Sequence, residues 1–128
     1  LKQANAKPED VVHINAHATS TPAGDVAEAK AIRKVLGSEA DHAPVTAVKG
    51  VAGHLLGGAG SLAALASILA IKNRIVPPVG NLVNLADGVD VDVVMSKPRE
   101  LPSGDIAALS NSFGFGGHDI VLAFRNHS

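Results

Sequence analysis

The chain has 128 residues, 11 Lys plus Arg against 12 Asp plus Glu for a formal net charge of −1, with 46% hydrophobic and 18% charged residues. That balance excludes the single-sign field of an electrostatic nucleic-acid binder and describes a globular chain, long enough for one domain with a core. The absence of Cys, Trp and Tyr excludes a disulfide framework, thiolate metal sites, a thiol nucleophile inside the chain and the aromatic stacking of single-strand binders.

Residues 1–7 read as the last turns of a helix whose start is missing, since strong helix formers run to Asn5 and stop near Pro8. The chain is therefore expected to be a piece of something longer. No charged n-region followed by an apolar h-region is read at the start, so the expected setting is cytoplasmic. Residues 11–16 form a short β-branched run after a Pro-Glu-Asp turn and predict a buried strand. Thr21-Pro22 supplies an N-cap with Pro at the first helical position, Asp25 and Glu28 sit where the macrodipole favours anions, and Gly37 closes a helix of about four turns. Ala29, Ile32 and Leu36 share its buried face.

Residues 45–48 predict a second strand, after which 49–54 turn into a long apolar helix ending near Asn73, ahead of Pro77-Pro78. This βαβα order predicts parallel strands with crossover helices. Residues 90–93 alternate like a half-exposed strand. Two more strands, 106–110 and 120–124, are joined by the glycine-rich 111–118 loop, a connection short enough to make them antiparallel neighbours, so the sheet is mixed. Residues 51–71 have the length of a membrane span, but their glycines and alanines and the lack of an aromatic belt predict a helix buried between close neighbours in a core, with no membrane span.

Three polar clusters fall at strand ends, where open α/β sheets place their ligands: His17 to Thr21, Lys49 with His54, and Phe113 to His118. Taken alone each has a structural reading, as a hydrogen-bonding His or a tight turn. His54, read at a helix N-terminus, is expected to be a neutral ring donating an N–H, an electrophilic role rather than that of a base. The glycine loop lacks the third glycine of G-x-G-x-x-G, no helix follows it and no P-loop Lys is present. It suggests backbone N–H groups free to face an oxyanion beside a mobile Phe115 ring, or else a plain hairpin with packed Phe residues. No third ligand accompanies His17 and His54 as a metal pair, so no metal is expected. His13, His42, His118 and His127 read as structural or solvent-facing.

Together Asn15-Ala16-His17-Ala18-Thr19-Ser20-Thr21-Pro22, Lys49-Gly50-Val51-Ala52-Gly53-His54 and Asn111-Ser112-Phe113-Gly114-Phe115-Gly116-Gly117 resemble, in order and spacing, the C-terminal half of type II elongating β-ketoacyl-[acyl-carrier-protein] synthases. The resemblance covers nearly all of 1–128 and implies an α/β, thiolase-like half-domain. Its mixed five-stranded sheet is layered with helices, and the first strand and most of the first helix lie upstream, that strand in the middle of the sheet. It implies a homodimeric acyltransferase of fatty-acid synthesis that elongates acyl chains by decarboxylative Claisen condensation with malonyl carrier protein, through a Cys-His-His centre. His17 and His54 would each offer an N–H to the malonyl thioester oxygen, and Lys49 would order the site. The Phe115 N–H would form half of an oxyanion hole, with its ring as the gate to the acyl pocket. Thr19 and Thr21 would hold the pantetheine arm, with Phe113, Gly114 and Gly116 completing the substrate surface. The partners implied are acyl carrier protein and the N-terminal half of the same enzyme; no separate cofactor is implied. The sequence departs from the family in lacking the nucleophilic Cys and in carrying Ala63 where a Glu commonly pairs with the Lys; Ala18 and Gly50 are milder substitutions. Two alternatives follow from these departures: a non-catalytic partner subunit shaping an acyl tunnel, and an inactive structural fragment.

Overall fold

A computed structural model describes residues 1–126, so His127 lies outside the described residues. Four strands make the main sheet: β1 (Val11–Asn15), β2 (Val45–Thr46), β5 (Ala107–Gly114) and β6 (His118–Arg125), in the order β2-β1-β5-β6. A separate antiparallel pair joins β3 (Ile75–Val76) to β4 (Arg99–Glu100). Strand β1 runs parallel to both β2 and β5, and β6 closes antiparallel on β5, so the sheet is mixed as the sequence predicts. One expectation is not met among the described residues: β1 and β5 are hydrogen-bonded neighbours, so this sheet shows no gap in its middle.

Helix α1 (Pro22–Leu36) has the predicted start and stop, with Thr21 at the N-cap and Gly37 at the C-cap. It buries Ala29, Ile32 and Leu36, and the last two join Val11, Ile14, Val45 and Leu109 in one hydrophobic core on one face of the sheet. Strand β1 changes register between Val11 and His13, which is how Val11 and Ile14 reach the same core despite their odd spacing. Helix α3 (Ala59–Asn73) packs on the opposite face, where Ile71 meets Val76, Val94, Leu101, Ile106 and Ala108. Its buried residues are mostly small, Ala59, Ala63, Ser67 and Ala70, which lets the helix lie close to the sheet. Only this one side is buried: Leu65, Ile68 and Leu69 remain exposed, so the expectation of a helix buried between neighbours is met on one face alone. By length and composition alone, residues 56–73 would be apolar enough to cross a membrane.

Three local expectations fail for identifiable reasons. The opening residues form a single 3-10 turn, Lys2–Ala4, ended by Asn5 in the left-handed region rather than by several helical turns. Residues 90–93 make no strand; Val93 forms one isolated parallel bridge to Val45, flanked by bonds from the Val45 N–H to the Asp92 carbonyl and from the Val94 N–H to the Val45 carbonyl, and just before it the Val93 N–H bonds back to the Val91 carbonyl, a local turn rather than extended backbone. The apolar run after Lys49 is broken into α2 (Lys49–Ala52), a 3-10 turn at Leu56–Gly58 and only then α3. Gly53, with φ 70°, ends α2 in a conformation a helix cannot continue through.

The irregular segment between β3 and β4 is seated on α2 by a close approach that only glycine permits. A Cβ on Gly50 would lie 2.2 Å from the Gly80 carbonyl oxygen, and one on Gly80 would lie 2.1 Å from Val51 Cγ2. Asn81 Nδ2 donates to the Gly50 carbonyl at 2.7 Å, fixing the contact. Gly50→Ala is therefore expected to destabilise the protein by roughly 1–3 kcal/mol through overpacking. A lowered urea midpoint, with faster proteolytic cutting in residues 80–90, would be the observation; an unchanged midpoint would mean the segment shifts freely.

Candidate active site

The loop leaving β1 carries His17 and is held in an unusual backbone shape. Ala18 and Ser20 have φ of 38° and 62°, in the left-handed region that L side chains avoid at roughly 1–2 kcal/mol each. The side chain that holds this loop was read from the sequence as a helix-dipole anion. Instead Glu28 turns inward from α1 and is buried: its Oε1 accepts the His17 N–H at 2.8 Å and Asn111 Nδ2 at 2.9 Å, and its Oε2 accepts the Ala18 N–H at 2.9 Å. Because the loop is clamped in place, Ala18→Gly relieves strain and gives up only the methyl's partial packing against the core. We expect it to raise stability by about 0.5–1 kcal/mol after the added chain entropy of glycine is subtracted. A higher urea midpoint with unchanged slope would report it; a lower midpoint would mean Ala18 is not strained.

His17, Lys49, His54 and Phe113 converge from three elements. The His17 and His54 rings stand edge to face with centroids 5.6 Å apart, and Phe113 packs its ring edge to face on His17 at 5.7 Å. Lys49, at the start of α2, places Nζ 3.4 Å from His17 Nδ1. A protonated amine has only hydrogens to offer, so Lys49 donates and His17 Nδ1 accepts. Burial of the ring and the adjacent Lys49 charge hold His17 below the ordinary imidazole range, with Glu28 partly opposing. Burial likewise lowers the Lys49 ammonium, again opposed by Glu28. Among the described residues Lys49 makes no carboxylate ion pair, and Ala63, where a Glu was noted as the usual family residue, is buried on α3.

His54 lies two residues before the Leu56–Gly58 3-10 turn that runs directly into α3, so it stands beside a helical N-terminus as the sequence predicts. The Leu56 N–H at that start donates to His54 Nδ1 at 3.2 Å and sets the ring's tautomer, with Leu56 itself at φ 49°. In both rings Nδ1 is thus occupied as an acceptor, and the neutral form of each carries its proton on Nε2. An N–H···O bond reaches about 4 Å from a ring centroid. Two rings 5.6 Å apart are therefore close enough to share one oxygen.

The glycine-rich segment is shorter as a loop than the sequence suggests. Phe113 and Gly114 belong to β5 and His118 to β6, leaving a three-residue turn in which Gly116 and Gly117 take φ of 83° and 81°. Phe115 stands fully exposed at the tip. The hairpin thus brings Phe113 to the histidines and leaves Phe115 and Gly116 outside their contacts. Thr21 occupies the N-cap position but makes no capping bond; its hydroxyl lies 3.4 Å from that of Thr19, which lines the cavity while Thr21 does not. A cavity of about 450 Å³ opens beside the cluster, with Thr19, Lys49 and His54 at one side and Ile32, Val45 and Leu82 among its apolar walls. His13 is structural, buried with Nδ1 donating to the Pro44 carbonyl at 3.0 Å, while His42 and His118 are exposed.

Residues 1–83 match the family model described as Beta-ketoacyl synthase, C-terminal domain. The chain is 48% identical over 127 residues, 99% of its length and 30% of the relative's, to a 3-oxoacyl-[acyl-carrier-protein] synthase 2 of Synechocystis sp.. Among solved structures it superposes with TM-score 0.90 and 32% identity on the ishigamide ketosynthase/chain length factor, over all of this chain and 31% of that one. It also superposes with TM-score 0.86 and 32% identity, over 96% of this chain and 30% of the other, on a chain of AntDE:AntF, a type II PKS acyl-carrier protein in complex with its ketosynthase bound to the hexaketide. The chain spans about 30% of the length of the curated relatives it matches.

Proposed function

Because the chain belongs to the β-ketoacyl synthase family, whose C-terminal domain it carries, we propose that it supplies the decarboxylating half of an elongating 3-oxoacyl-[acyl-carrier-protein] synthase of fatty-acid synthesis. The observation that carries this reading is the His17–His54 pair, two rings with Nδ1 occupied and Nε2–H left to donate, close enough to share one oxygen. In the malonyl thioester the bond from the α-carbon to the carboxylate breaks, carbon dioxide leaves, and the electron pair moves through the α-carbon onto the thioester oxygen. That oxygen becomes an enolate, and paired N–H donors stabilise it where the charge develops. The enolate carbon then attacks an acyl thioester held on a cysteine, the new C–C bond forming as the C–S bond breaks and the thiolate leaves; these residues contain no Cys, so the nucleophile would come from another segment or chain.

Within this proposal Lys49 holds His17 in its Nε2–H form, and Thr19 and Thr21 bind the pantetheine arm beside the cavity. Phe113, Gly114 and Gly116 shape the substrate surface. The Phe115 N–H serves as half of the acyl oxyanion hole and its ring as gate, a role its exposed hairpin position leaves it free to take. Acyl carrier protein, the N-terminal half of the enzyme, a homodimer and a cytoplasmic setting belong to the same proposal.

Ala63 favours a second reading, a non-catalytic subunit that shapes an acyl tunnel. The test is to incubate the full-length protein with acyl- and malonyl-loaded carrier protein and follow the carrier by mass spectrometry. The proposal predicts a β-ketoacyl carrier two carbons longer; a carrier that stays malonylated, with no acyl group transferred to the protein, would favour the second reading.

A further inference from the structure

We propose that the cavity of about 450 Å³ between α1, β2 and residues 79–93 is a binding site for a straight acyl chain, whose neutral thioester carbonyl faces Lys49 and His54. The ligand is an acyl thioester of the carrier, and a grown chain seated here excludes malonyl carrier from His54. This deepens the reading above and rests on it only for what the ligand displaces.

The walls select the chain. Ile32 comes from α1, Val45 from β2, and Leu82, Leu85, Val89 and Val91 from the irregular segment between β3 and β4. The volume lies in the range of small-ligand sites, about 300–1,000 Å³, and apolar walls favour methylenes over polar groups, which would lose their hydrogen bonds there. The β5–β6 hairpin contributes nothing to the lining, so this space is separate from any pocket that Phe115 gates. Its outer wall is fastened at both ends. Asn81 Nδ2 holds the Gly50 carbonyl at 2.7 Å, while Arg33 Nη2 holds the Asp90 carbonyl at 2.9 Å and the Val45 N–H holds the Asp92 carbonyl at 2.8 Å. Between these anchors the one backbone bond among the described residues runs from the Val89 N–H to the Ala86 carbonyl at 3.3 Å, which leaves the middle of the wall free to fit a chain.

The polar end selects the head. Lys49 spends one N–H on His17 Nδ1, and His54 Nδ1 is taken by the Leu56 N–H. Two Nζ hydrogens and the His54 Nε2–H therefore remain as donors without an acceptor among the described residues. Asp25 and Glu28 also line the cavity and act on the same cluster, so two carboxylates against one ammonium repel an anionic head. A neutral carbonyl meets both conditions, and Thr19 in the lining places the cavity next to the proposed path of the carrier's arm. That carbonyl takes the His54 donor which the malonyl oxygen needs.

The test uses the full-length protein with hexanamide, octanamide and decanamide, which carry a neutral carbonyl and transfer no acyl group. Affinity measured by calorimetry should rise about fourfold per added methylene, and decanamide should bind more tightly than decanoate. A flat series would overturn the chain assignment, and a tighter decanoate would overturn the neutral head. Decanamide bearing a terminal diazirine, photolysed on the protein, should label residues 79–93 or α1 around Ile32. Label confined to other segments would overturn the site. Malonyl carrier should reduce that label, and label indifferent to it would overturn the competition. Leu85→Asp, at a partly exposed wall position, should weaken decanamide by about tenfold; if that variant does not fold, the wild-type label decides. No readout requires turnover, so failure here is distinguishable from failure of the decarboxylation reading.

Discussion

Replacing His17 with Ala is expected to slow carbon dioxide release from malonyl carrier protein by about 10²–10³-fold, the usual loss when one donor to a developing oxyanion is removed. His54→Ala should fall in the same range, because the two rings are proposed to serve one oxygen from centroids 5.6 Å apart. The double variant should lose much less than the product of the two single losses, since the remaining donor in each single variant has already lost its partner. Lys49→Met should produce a smaller loss than either, because Nζ acts on His17 Nδ1 rather than on substrate. Release of labelled carbon dioxide measures all four. A wild-type rate in His17→Ala or in His54→Ala would remove the shared-oxygen geometry from the account.

The second large effect is on stability and its pH dependence. His13 is wholly buried, and burial pushes its imidazole below the ordinary value of 6.5, against a smaller opposing contribution from the Pro44 carbonyl. The unfolded chain takes up a proton near pH 6.5 and the folded protein does not. Stability is therefore full above 6.5 and falls as the pH drops below it toward the folded-state value. His17, also lowered but only partly buried, adds weakly in the same direction. The urea midpoint should fall between pH 7 and pH 5. His13→Phe should be less stable at pH 7 by about 1–3 kcal/mol, because the Pro44 carbonyl loses a buried donor. The same variant should show a shallower decline between pH 7 and 5. A decline as steep as the wild type would mean His13 is not the group that titrates.

What the sequence makes legible follows the range of the forces involved. Helix α1 was readable to the residue, because Thr21-Pro22 and Gly37 are local signals at its two ends. The mixed sheet was readable because connection length alone separates the parallel β1–β2 pair from the antiparallel β5–β6 pair. The cluster of His17, Lys49, His54 and Phe113 was readable from motif order, since strand ends bring such segments together.

The role of Glu28 was not readable in the same way. At the second turn of α1 it follows a polar pattern, and only the fold reveals that it meets the loop eleven residues before it and Asn111 on β5. A Glu beside Ala29 and in step with Ile32, on the face that carries the apolar residues, was the signal available. The place of His54 beside a helical start was readable, but not which start: the break at Gly53 ends α2 and the ring meets the Leu56 N–H that opens the next helical run. The failed strand at 90–93 was not readable either, since alternation in sequence cannot register that the Val93 N–H folds back on the Val91 carbonyl and leaves a single bridge to Val45.

The proposed decarboxylation needs two imidazole rings, close enough to share one oxygen, that both carry the proton on Nε2, and ¹⁵N NMR of the ring nitrogens in histidine-labelled protein at mildly alkaline pH tests this most directly. The predicted spectrum has Nε2 protonated and Nδ1 bare in both His17 and His54, with His13 as the opposite, Nδ1-protonated reference. Protonation at Nδ1 in His17 or His54 would mean that the bond from Lys49 or from Leu56 is not made, and that the site has no paired donors for an enolate.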